Sequence, residues 1–563
     1  MLQWSKNRLN QVLIDIILIL LIILAGLKLT HGLEHVLDIA LYDESGYLYA
    51  GVNLAEKGLM PPAWAPLYGI WYYFLSFFAA DNVSLYYLNY RVLTILPSVL
   101  LYLVLRAYTR SLWIALPIAW LFLIAMGNVS TWPKPSHFAL CIILAFLLFG
   151  RKLLSPTRST LFMAVAALLC SYVRPEFFLT FVLLTGVYFF LLWRNRRQLQ
   201  PFDEFVTATF GLLACFALIA LFNLALLDTH NNRSFEAFAQ HFAINWNTWN
   251  DPDIDPWIDY DQAIVSSFGK VDRVSAAVHN NPAAFARHIF TNVIQSPHTL
   301  FQLFFVHYNI LLPARHSWTT HLEGFFILIG LVSLLVWSRS GWRQCFFSHL
   351  RQNRLLLVYL MLFITPGVMS AVLIYPRNHY LLIPGVLITV AGVLLLTGPA
   401  SYSVQTSPWH RRWYPVLLGG LLIIITPNIA TDWYPTHSSS ARLETVQTIQ
   451  FIGALQINTH VNLLEAEGGY YIYLGDHFQR ISHASKDIGF NSFVDQHDID
   501  MIIVSSQLRS DIRYAHDPEW HAFLDNPTAA GYSALEVPET DRLVIMKTNL
   551  LSQPHLPEQS LSP

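Results

Sequence analysis

Asp43 and Glu44 form an acidic pair just after the first apolar segment of the chain, within the stretch Leu41 to Ala50. A carboxylate pair against a membrane is costly to keep, so it points first to chemistry. One carboxylate can act as a general base toward an acceptor hydroxyl or amine. Its neighbour can then hold the acceptor or a divalent cation. The alternative is a solvated acidic turn that follows a membrane anchor.

Three short basic motifs lie where two apolar segments meet, and each offers donors for a phosphate group. Arg377 and His379 are the best placed, because a guanidinium forks onto phosphate oxygens. Arg174 precedes Glu176 by two positions, so contact with a phosphate and a simple ion pair are both open. Lys134 is either a further cation of this set or an interfacial anchor.

Residues 228–323 form a long connection in which aromatic rings alternate with acids. Trp249 and Trp257 are candidates for stacking against a sugar, and a Trp-anchored lid at the membrane surface is the simpler interpretation. The spacing Asp251, Asp253, Asp255 suggests calcium. Pro256 and Gln262, however, replace the turn glycine and the closing acid of an EF-hand loop.

The composition identifies the elements that must position these residues. The chain has 563 residues, of which 54% are hydrophobic and only 12% charged, and its mean hydropathy is +0.42. Soluble domains carry about 25% charged residues, so we expect a polytopic α-helical membrane protein. The net charge of −2 gives no support for nucleic-acid binding. The four cysteines match neither a zinc spacing nor a disulfide framework.

About eleven apolar runs are candidates for membrane spans. They are residues 11–29, 92–105, 111–127, 137–149, 159–172, 176–193, 205–227, 324–337, 355–375, 379–398 and 413–430. We expect the first to be an uncleaved span, because it is too long for a signal peptide.

Every second loop is basic, as the positive-inside rule expects of cytoplasmic loops. The basic residues are Arg106, Arg110, Arg151, Lys152, Arg158, Arg194, Arg196, Arg197, Arg339, Arg343, Arg351, Arg354, Arg411 and Arg412. This pattern places the loop 31–91, the loop 228–323 and the tail after Asn428 on the opposite, extracytoplasmic side.

The chain divides by composition into a membrane part, a soluble part and an end. Residues 1–430 contain the spans, with aromatic interfacial helices in the loop 31–91. For residues 431–550 the pattern predicts a small α/β domain, and for residues 551–563 it predicts a frayed tail. For this domain we expect helices at 441–456, 491–498 and 518–524, and strands at 461–465, 470–474, 499–505 and 542–547.

Several short motifs together resemble the GT-C class of integral-membrane glycosyltransferases, in particular the branch of protein O-mannosyltransferases and the aminoarabinose transferase of lipid A. The motifs are the acidic pair, Tyr47 with Gly51, Gly58, the run Pro66 to Tyr72 that contains Tyr68, Arg91, Arg174–Glu176 and Arg377–Leu382. The similarity covers most of residues 1–430. A soluble outer tail is also common in that class.

The resemblance implies a polyprenyl-phosphate sugar as donor and a lipid, glycan or protein as acceptor. Asp43 would be the general base, and Glu44 would support the acceptor or a divalent cation. The leaving phosphate would be stabilised by Arg377, Arg174, Arg91 and His379, with Lys134 as a further cation. Tyr47, Tyr68, Trp249 and Trp257 would contact the sugar or the acceptor.

Two departures from the family pattern concern the donor and the metal. Trp64–Pro66 stands where the aminoarabinose branch has a Lys-Pro-Pro turn, and the loop near Lys134 lacks the acid that many relatives carry. Both leave the identity of the sugar and the metal requirement open.

The expected reaction is an inverting glycosyl transfer at the outer face of a bacterial inner membrane. The alternative in another class is a transporter or flippase of a lipid-linked or polyanionic substrate. A polymerase or ligase of polyprenyl-linked sugars is a second alternative. Its outer loop would be cationic, whereas residues 228–323 are acidic and aromatic.

Overall fold

The protein is described here by a computed structural model. It describes residues 2–109, 111–129, 132–151, 153, 155–195, 201–223, 233–250, 254–305, 340–397, 413–433 and 443–551. The chain forms two compact units that do not follow the chain order. Residues 1–29, 59–68 and 91–428 build the first unit, and residues 30–58, 69–90 and 429–563 the second. The first outer loop is therefore grouped largely with the C-terminal domain.

The regular elements of the first unit are helices in the part of the chain that the structure describes. Its helices are Leu2–Leu29, Pro62–Trp64, Leu112–Leu123, Met126–Val129, Pro135–Gly150, Pro156–Ser171, Phe177–Asn195, Pro201–Phe222, Arg233–Asn250, Tyr260–Phe268, Val274–Asn280, Pro282–Phe305, Ser340–Gln352, Arg354–Leu373, Asn378–Thr397 and Tyr414–Ile425. Helices Pro66–Ser76 and Asn82–Thr109 contribute residues to both units.

Six helical segments in the described part of the chain are long and apolar enough to cross a membrane. They are Leu9–His35, Asn82–Thr109, Phe177–Arg194, Arg354–Leu373, Asn378–Leu396 and Tyr414–Thr431. Three further predicted spans correspond to shorter apolar helices, namely Leu112–Leu123, Pro135–Gly150 and Val206–Phe222. The predicted span 324–337 lies outside the described residues, as do several of the basic loop residues.

Asp15, a charge inside the first span, has a partner in the first unit. Its carboxylate accepts hydrogen bonds from Arg106 Nε at 2.9 Å and from the Tyr102 hydroxyl at 2.6 Å. A charge within a membrane segment is tolerated when it is paired in this way. The pair joins helix Leu2–Leu29 to helix Asn82–Thr109.

Within the predicted outer loop 228–323, residues 233–250 and 254–305 lie inside the described part of the chain and fold largely into four helices. Phe238, Phe242, Ile264 and Phe268 are buried and pack together in a hydrophobic core of their own. Apolar residues at helical spacing bury one face of helix Arg233–Asn250, which explains why this polar-looking segment folds.

The second unit combines short helices with one sheet. Its helices are Leu33–His35, Asp43–Val52, Leu54–Lys57, Ile429–Trp433, Glu444–Ala454, Tyr470–Leu474, His483–Ser485, Phe490–Gln496, Ser506–Ser510, Ile512–Ala515, Pro518–Asp525, Pro527–Ala530 and Thr548–Leu551. The strands are β1 Val461–Glu465, β2 Phe478–Ser482, β3 Met501–Val504, β4 Tyr532–Glu536 and β5 Leu543–Lys547.

The five-stranded sheet has the order β2-β1-β3-β5-β4. Strand β1 pairs in parallel with β2 and β3, whereas β5 pairs antiparallel with β3 and β4. Apolar side chains from the sheet and its helices form a buried core, with Trp520 and Phe490 in contact at 4.8 Å between ring centroids. A small α/β domain is the class that the sequence predicted for this tail.

Two details of the predicted tail are wrong. Residues 470–474 form a helix instead of a strand, and strands β2 and β4 were missed. Glu465 explains the first error, because its carboxylate accepts the backbone N–H groups of Gly468, Gly469 and Tyr470. Such an acceptor at a helix start outweighs the β-propensity of the Tyr-Tyr-Ile-Tyr-Leu run.

Candidate functional site: an acid-pair helix and a cationic cluster

The acidic pair opens the helix Asp43–Val52, called the acid-pair helix below. Negative side chains in a first helical turn are stabilised by the partial positive charge of the helix N-terminus. The side chain of Asp43 is exposed, whereas Glu44 is 1% exposed. The two neighbouring carboxylates therefore occupy opposite environments.

A polar network in the second unit holds Glu44. Its Oε1 atom accepts a hydrogen bond from the Tyr72 hydroxyl, and another from Asn89 Nδ2 at 2.9 Å. Asn89 Nδ2 also lies 2.8 Å from the Tyr72 oxygen, and Asn89 Oδ1 accepts from Trp71 Nε1 at 2.8 Å. Buried polar groups need such partners. Glu44 thus ties helix Asp43–Val52 to helices Pro66–Ser76 and Asn82–Thr109.

Tyr47, predicted to contact the acceptor, is also a core residue of the second unit, at 6% exposure. A cation at the acidic pair would compete with the donors that Glu44 already receives. The described residues contain no group of three or more His, Cys, Asp or Glu side chains that could hold a metal ion. We therefore assign no chemical step to a metal.

A cationic cluster of Arg174, Arg233 and Arg377 lies within the first unit, with the histidines His241 and His379 beside it. The charges of Arg174, Arg233 and Arg377 all act on the Tyr380 hydroxyl, and those of Arg174 and Arg377 act on His379. The helix Asn378–Thr397 begins next to Arg377 and carries both His379 and Tyr380. Three of the predicted phosphate ligands, Arg174, Arg377 and His379, are thus neighbours in the structure.

Aromatic rings orient the guanidinium groups of this cluster. Arg377 Cζ lies 4.7 Å from the Trp257 ring centroid, and Arg174 Cζ lies 4.9 Å from that of Tyr380. Arg233, which the sequence did not single out, lies 4.0 Å from the Trp64 ring. Cation–π contacts of this kind orient the planes of the guanidinium groups.

Arg174 also forms the ion pair that the sequence left as an alternative. Its Nε atom lies 2.8 Å from Glu176 Oε1. Only part of the guanidinium is used by this bond, since a planar fork presents five donors. Phosphate contact by Arg174 stays a prediction.

His241 stands between the aromatic residues of the cluster. Its ring lies 5.5 Å from that of Trp257 and 5.7 Å from that of Tyr375. Burial, followed by the charge of Arg377, lowers the pKa of His241 to about 4. The ring is therefore neutral at pH 7 and can accept or donate a hydrogen bond without adding charge.

A second buried network supports the backbone before Arg377. Asn292 Nδ2 donates to the Val372 carbonyl at 3.0 Å, and Asn245 Nδ2 donates to Asn292 Oδ1 at 2.9 Å. His288 is fully buried beside both amides. These polar residues on helices Arg233–Asn250 and Pro282–Phe305 thereby hold the end of helix Arg354–Leu373. No sequence motif indicated them.

Two further predicted site residues, Lys134 and Tyr68, are buried in the first unit. Lys134 is fully buried and its Nζ atom donates to the Asn128 carbonyl at 2.6 Å, while nearby Ser136 Oγ donates to the His379 carbonyl at 2.7 Å. Tyr68 is fully buried, with its ring 5.7 Å from that of Phe138.

The last three candidates are Arg91, Trp249 and Trp257. Arg91 is half-buried on helix Asn82–Thr109. Trp249 is half-buried as well, and it stacks with Arg287, whose Cζ lies 4.4 Å from its ring centroid. A guanidinium on this ring occupies one of the faces that we predicted for a sugar. Trp257 keeps 43% of its surface exposed although Arg377 lies against it.

The second unit thus presents an exposed carboxylate at a helix start, and the first unit, taken by itself, presents a cluster of oriented cations. The carboxylate suits proton abstraction and the cluster suits binding of a phosphate. No family model matches the chain, and no curated protein matches it either.

Proposed function

We propose that the protein is a glycosyltransferase that moves a sugar from a polyprenyl-phosphate donor to an acceptor. The observation that carries the proposal is the close approach of Arg174 and Arg377 at Tyr380: Arg174 Cζ lies 4.9 Å from the Tyr380 ring centroid, and the Arg377 carbonyl accepts the Tyr380 N–H at 3.1 Å. The charge of Arg233 also acts on the Tyr380 hydroxyl, and Glu176 beside Arg174 partly offsets the three cations. Cations so placed suit a lipid-linked phosphate, because they stabilise the negative charge that develops on the leaving group.

The proposed step is a single displacement with inversion. The acceptor oxygen or nitrogen forms a bond to the anomeric carbon of the sugar while the bond to the phosphate oxygen breaks. The bonding electrons leave with the polyprenyl phosphate, and Asp43 takes the proton of the acceptor. Analysis of the product's anomeric configuration tests this step, and retention would contradict it.

The proposal extends to the membrane topology. About eleven spans would place Asp43, the helices of 233–305 and the C-terminal domain on the extracytoplasmic side of a bacterial inner membrane. Single cysteines introduced at Glu56 and Asp476 should react with an impermeant thiol reagent in spheroplasts, whereas one at Arg351 should react only after lysis. The reverse pattern would reject the orientation.

The central experiment measures sugar release from a panel of radiolabelled polyprenyl-phosphate sugars. Asp43→Asn should abolish turnover of the one accepted donor, because the amide cannot take the proton. Glu56→Gln is the matched control, since it changes another exposed acid of the same loop. Turnover that survives in Asp43→Asn would move the base elsewhere, and donor binding without any turnover would favour a transporter.

The cationic cluster is tested in the same assay. Arg377→Ala and Arg233→Ala should each lower kcat/KM by roughly 100- to 1,000-fold, the usual loss for one donor to a developing anion. Arg273→Ala removes a guanidinium that is 75% exposed and serves as control. Equal activity of all three variants would exclude the cluster from the reaction.

A further inference from the structure

The first helix of the C-terminal domain, Glu444–Ala454, begins without a capping side chain of its own. Leu443 occupies the N-cap position and makes no side-chain cap hydrogen bond. The first N–H groups of a helix have no intrahelical acceptor and need one from elsewhere.

Asp38 supplies the missing acceptor from a position 407 residues earlier in the chain. Its Oδ2 atom accepts the N–H of Thr445 at 2.9 Å, and its Oδ1 atom accepts the N–H of Val446 at 3.0 Å. These are the second and third helical residues, whose N–H groups an N-cap side chain normally satisfies. Asp38 therefore acts as the cap of a helix in another part of the chain, five residues before Asp43.

A second contact lies on the other side of Asp43. The Ser45 hydroxyl donates to the Ala40 carbonyl at 2.8 Å and lies 2.6 Å from the Tyr473 hydroxyl. Burial raises the pKa of Tyr473, so its hydroxyl stays protonated and can donate to Ser45. Ser45 is fully buried and directly follows Glu44.

The short helix Tyr470–Leu474 packs closely against the start of the loop as well. A Cβ atom on Gly469 would lie 2.5 Å from the Leu41 carbonyl oxygen, so only glycine fits there. Asn82 Nδ2 donates to the Ile472 carbonyl at 2.6 Å. The C-terminal domain thus contacts the chain on both sides of Asp43.

We propose that the C-terminal domain positions the general base, with Asp38 and Tyr473 as its positioning residues. Asp38 fixes the chain that enters the acid-pair helix, and Tyr473 fixes its first turn. Together they hold the exposed Asp43 carboxylate in one orientation although Asp43 itself is not buried. The expected effect on catalysis rests on the proposed function. The structural coupling of Asp38 and Tyr473 to the acid-pair helix does not.

The experiment compares full-length wild type with Asp38→Ala, Asp38→Asn and Tyr473→Phe in detergent. Gln450→Ala is the control, because this side chain is exposed on helix Glu444–Ala454. Hydrogen exchange followed by mass spectrometry reports the backbone protection of residues 43–52 and 444–454. Donor turnover gives kcat and KM for the same preparations.

In Asp38→Ala we expect exchange to rise by about fivefold or more in both segments, in line with the loss of a cap. The value of kcat should fall while the KM for the donor stays constant, and Asp38→Asn should restore part of both effects because it keeps one acceptor oxygen. Tyr473→Phe should raise exchange in residues 43–52 but not in 444–454.

Faster exchange confined to residues 444–454 would reduce Asp38 to a simple cap and overturn the inference. An unchanged kcat despite faster exchange in 43–52 would overturn it too. If Asp38→Ala does not fold, Tyr473→Phe decides, since it removes a single hydroxyl. A wild type that turns over no donor rejects the proposed function, while the exchange data still test the coupling.

Discussion

At the scale of single residues, the adjacent acids Asp43 and Glu44 differ in their exposure to solvent. Glu44 is buried against Tyr72 and Asn89, whereas Asp43 is left at the surface. A buried carboxylate that accepts two hydrogen bonds contributes to stability and orientation more readily than to proton transfer. Consecutive residues point to different sides of a helix, and this explains why Asp43 is exposed and Glu44 is buried.

The Glu44 network predicts a measurable coupling energy. Glu44→Gln and Tyr72→Phe should each lower the free energy of unfolding by about 1–3 kcal/mol, because each weakens a buried hydrogen bond. The double variant should lose less than the sum, with an interaction energy of about 0.5–3 kcal/mol. Chemical denaturation of the detergent-solubilised protein measures all three.

Tyr73→Phe on the same helix is the control for this cycle, since its ring contacts Phe77 at 5.1 Å and is only half-buried. Strict additivity of Glu44→Gln and Tyr72→Phe would show that the two side chains do not interact in solution.

The buried histidines of residues 233–305 predict a pH dependence. Burial lowers the pKa of both His241 and His288 to about 4, and the charge of Arg377 adds to the effect at His241. An unfolded histidine titrates near about 6.5, so between these pH values the unfolded state binds more protons. Stability should be fully present above pH 6.5 and should fall as the pH drops toward 4, by up to about 1.4 kcal/mol per pH unit for each residue.

Thermal midpoints between pH 7.5 and pH 4.5 test this dependence. His288→Gln should flatten the curve, whereas His279→Gln, a change at an exposed histidine of the same segment, should leave it unchanged. A curve that stays steep in His288→Gln would assign the titration to other groups.

The sequence predicts two of the three arginines of the cationic cluster but not the contacts that orient them. The sequence indicates Arg174 and Arg377 because each lies where two apolar segments meet and a guanidinium forks onto phosphate oxygens. Arg233 and Asn292 look unremarkable in the sequence, since their roles depend on contacts with Trp64 and with the Val372 carbonyl. Contacts between residues far apart in the chain leave no local signal that a single sequence can reveal.

At the scale of elements, one close helix crossing fixes the acid-pair helix. A Cβ atom on Gly51 would lie 2.4 Å from Tyr72 Cβ and 2.7 Å from the Gly69 carbonyl oxygen. Both atoms belong to helix Pro66–Ser76 and cannot move independently of it. The glycine therefore allows the two helices to approach, and Tyr72 is thereby brought to Glu44.

Gly51→Ala should separate these helices and destabilise the protein by about 1–3 kcal/mol, as overpacking does. Gly46→Ala on the same helix is the matched control, because nothing lies within 4 Å of its added Cβ. That change should stabilise the protein by about 0.5–1 kcal/mol through helix propensity. Denaturation of both variants tests the contrast, and equal effects would mean that the crossing is not tight.

The tail shows why some elements escape prediction. Residues 470–474 are rich in tyrosine and favour a strand by propensity, yet the buried Glu465 carboxylate starts a helix there. Burial raises the pKa of Glu465 to about 8, and the N–H groups of Gly469 and Gly468 act in the opposite direction. Strand β2, with its exposed Gln479 and Arg480, carries little apolar signal because it is an edge of the sheet.

At the scale of the whole molecule, the composition predicted a helical membrane protein with an α/β tail, and six span-length apolar helices with a C-terminal sheet support that class. The sequence did not predict that residues 30–58 and 69–90 belong to the same compact unit as the C-terminal residues 429–563. Charge and hydropathy indicate whether a segment lies in water or in lipid. Which segments pack into one unit depends instead on contacts between distant residues, such as the hydrogen bond from the Thr445 N–H to Asp38.

Because the second unit combines an early and a late part of the chain, we expect the late part to fold alone and the early part to depend on it. The core of the α/β domain, including Leu464, Phe490, Ile502 and Trp520, comes entirely from the tail. Residues 443–551 expressed alone should therefore fold with a cooperative transition, although helix Glu444–Ala454 loses its cap from Asp38 and should fray. The acid-pair helix, in contrast, contacts the tail through Ser45 and Tyr473, so in a chain that ends at Asn428 this helix should lose its hydrogen-exchange protection.

Circular dichroism of the isolated tail and exchange in the shortened chain measure the two sides of this asymmetry. The shortened chain should keep the protection of helix Arg233–Asn250, which packs within the first unit and so serves as the internal control. Retained protection of residues 43–52 would show that Tyr72 and Asn89 alone suffice to hold that helix. Loss of protection there, with Arg233–Asn250 intact, would show that folding of the first loop depends on a domain encoded at the other end of the chain.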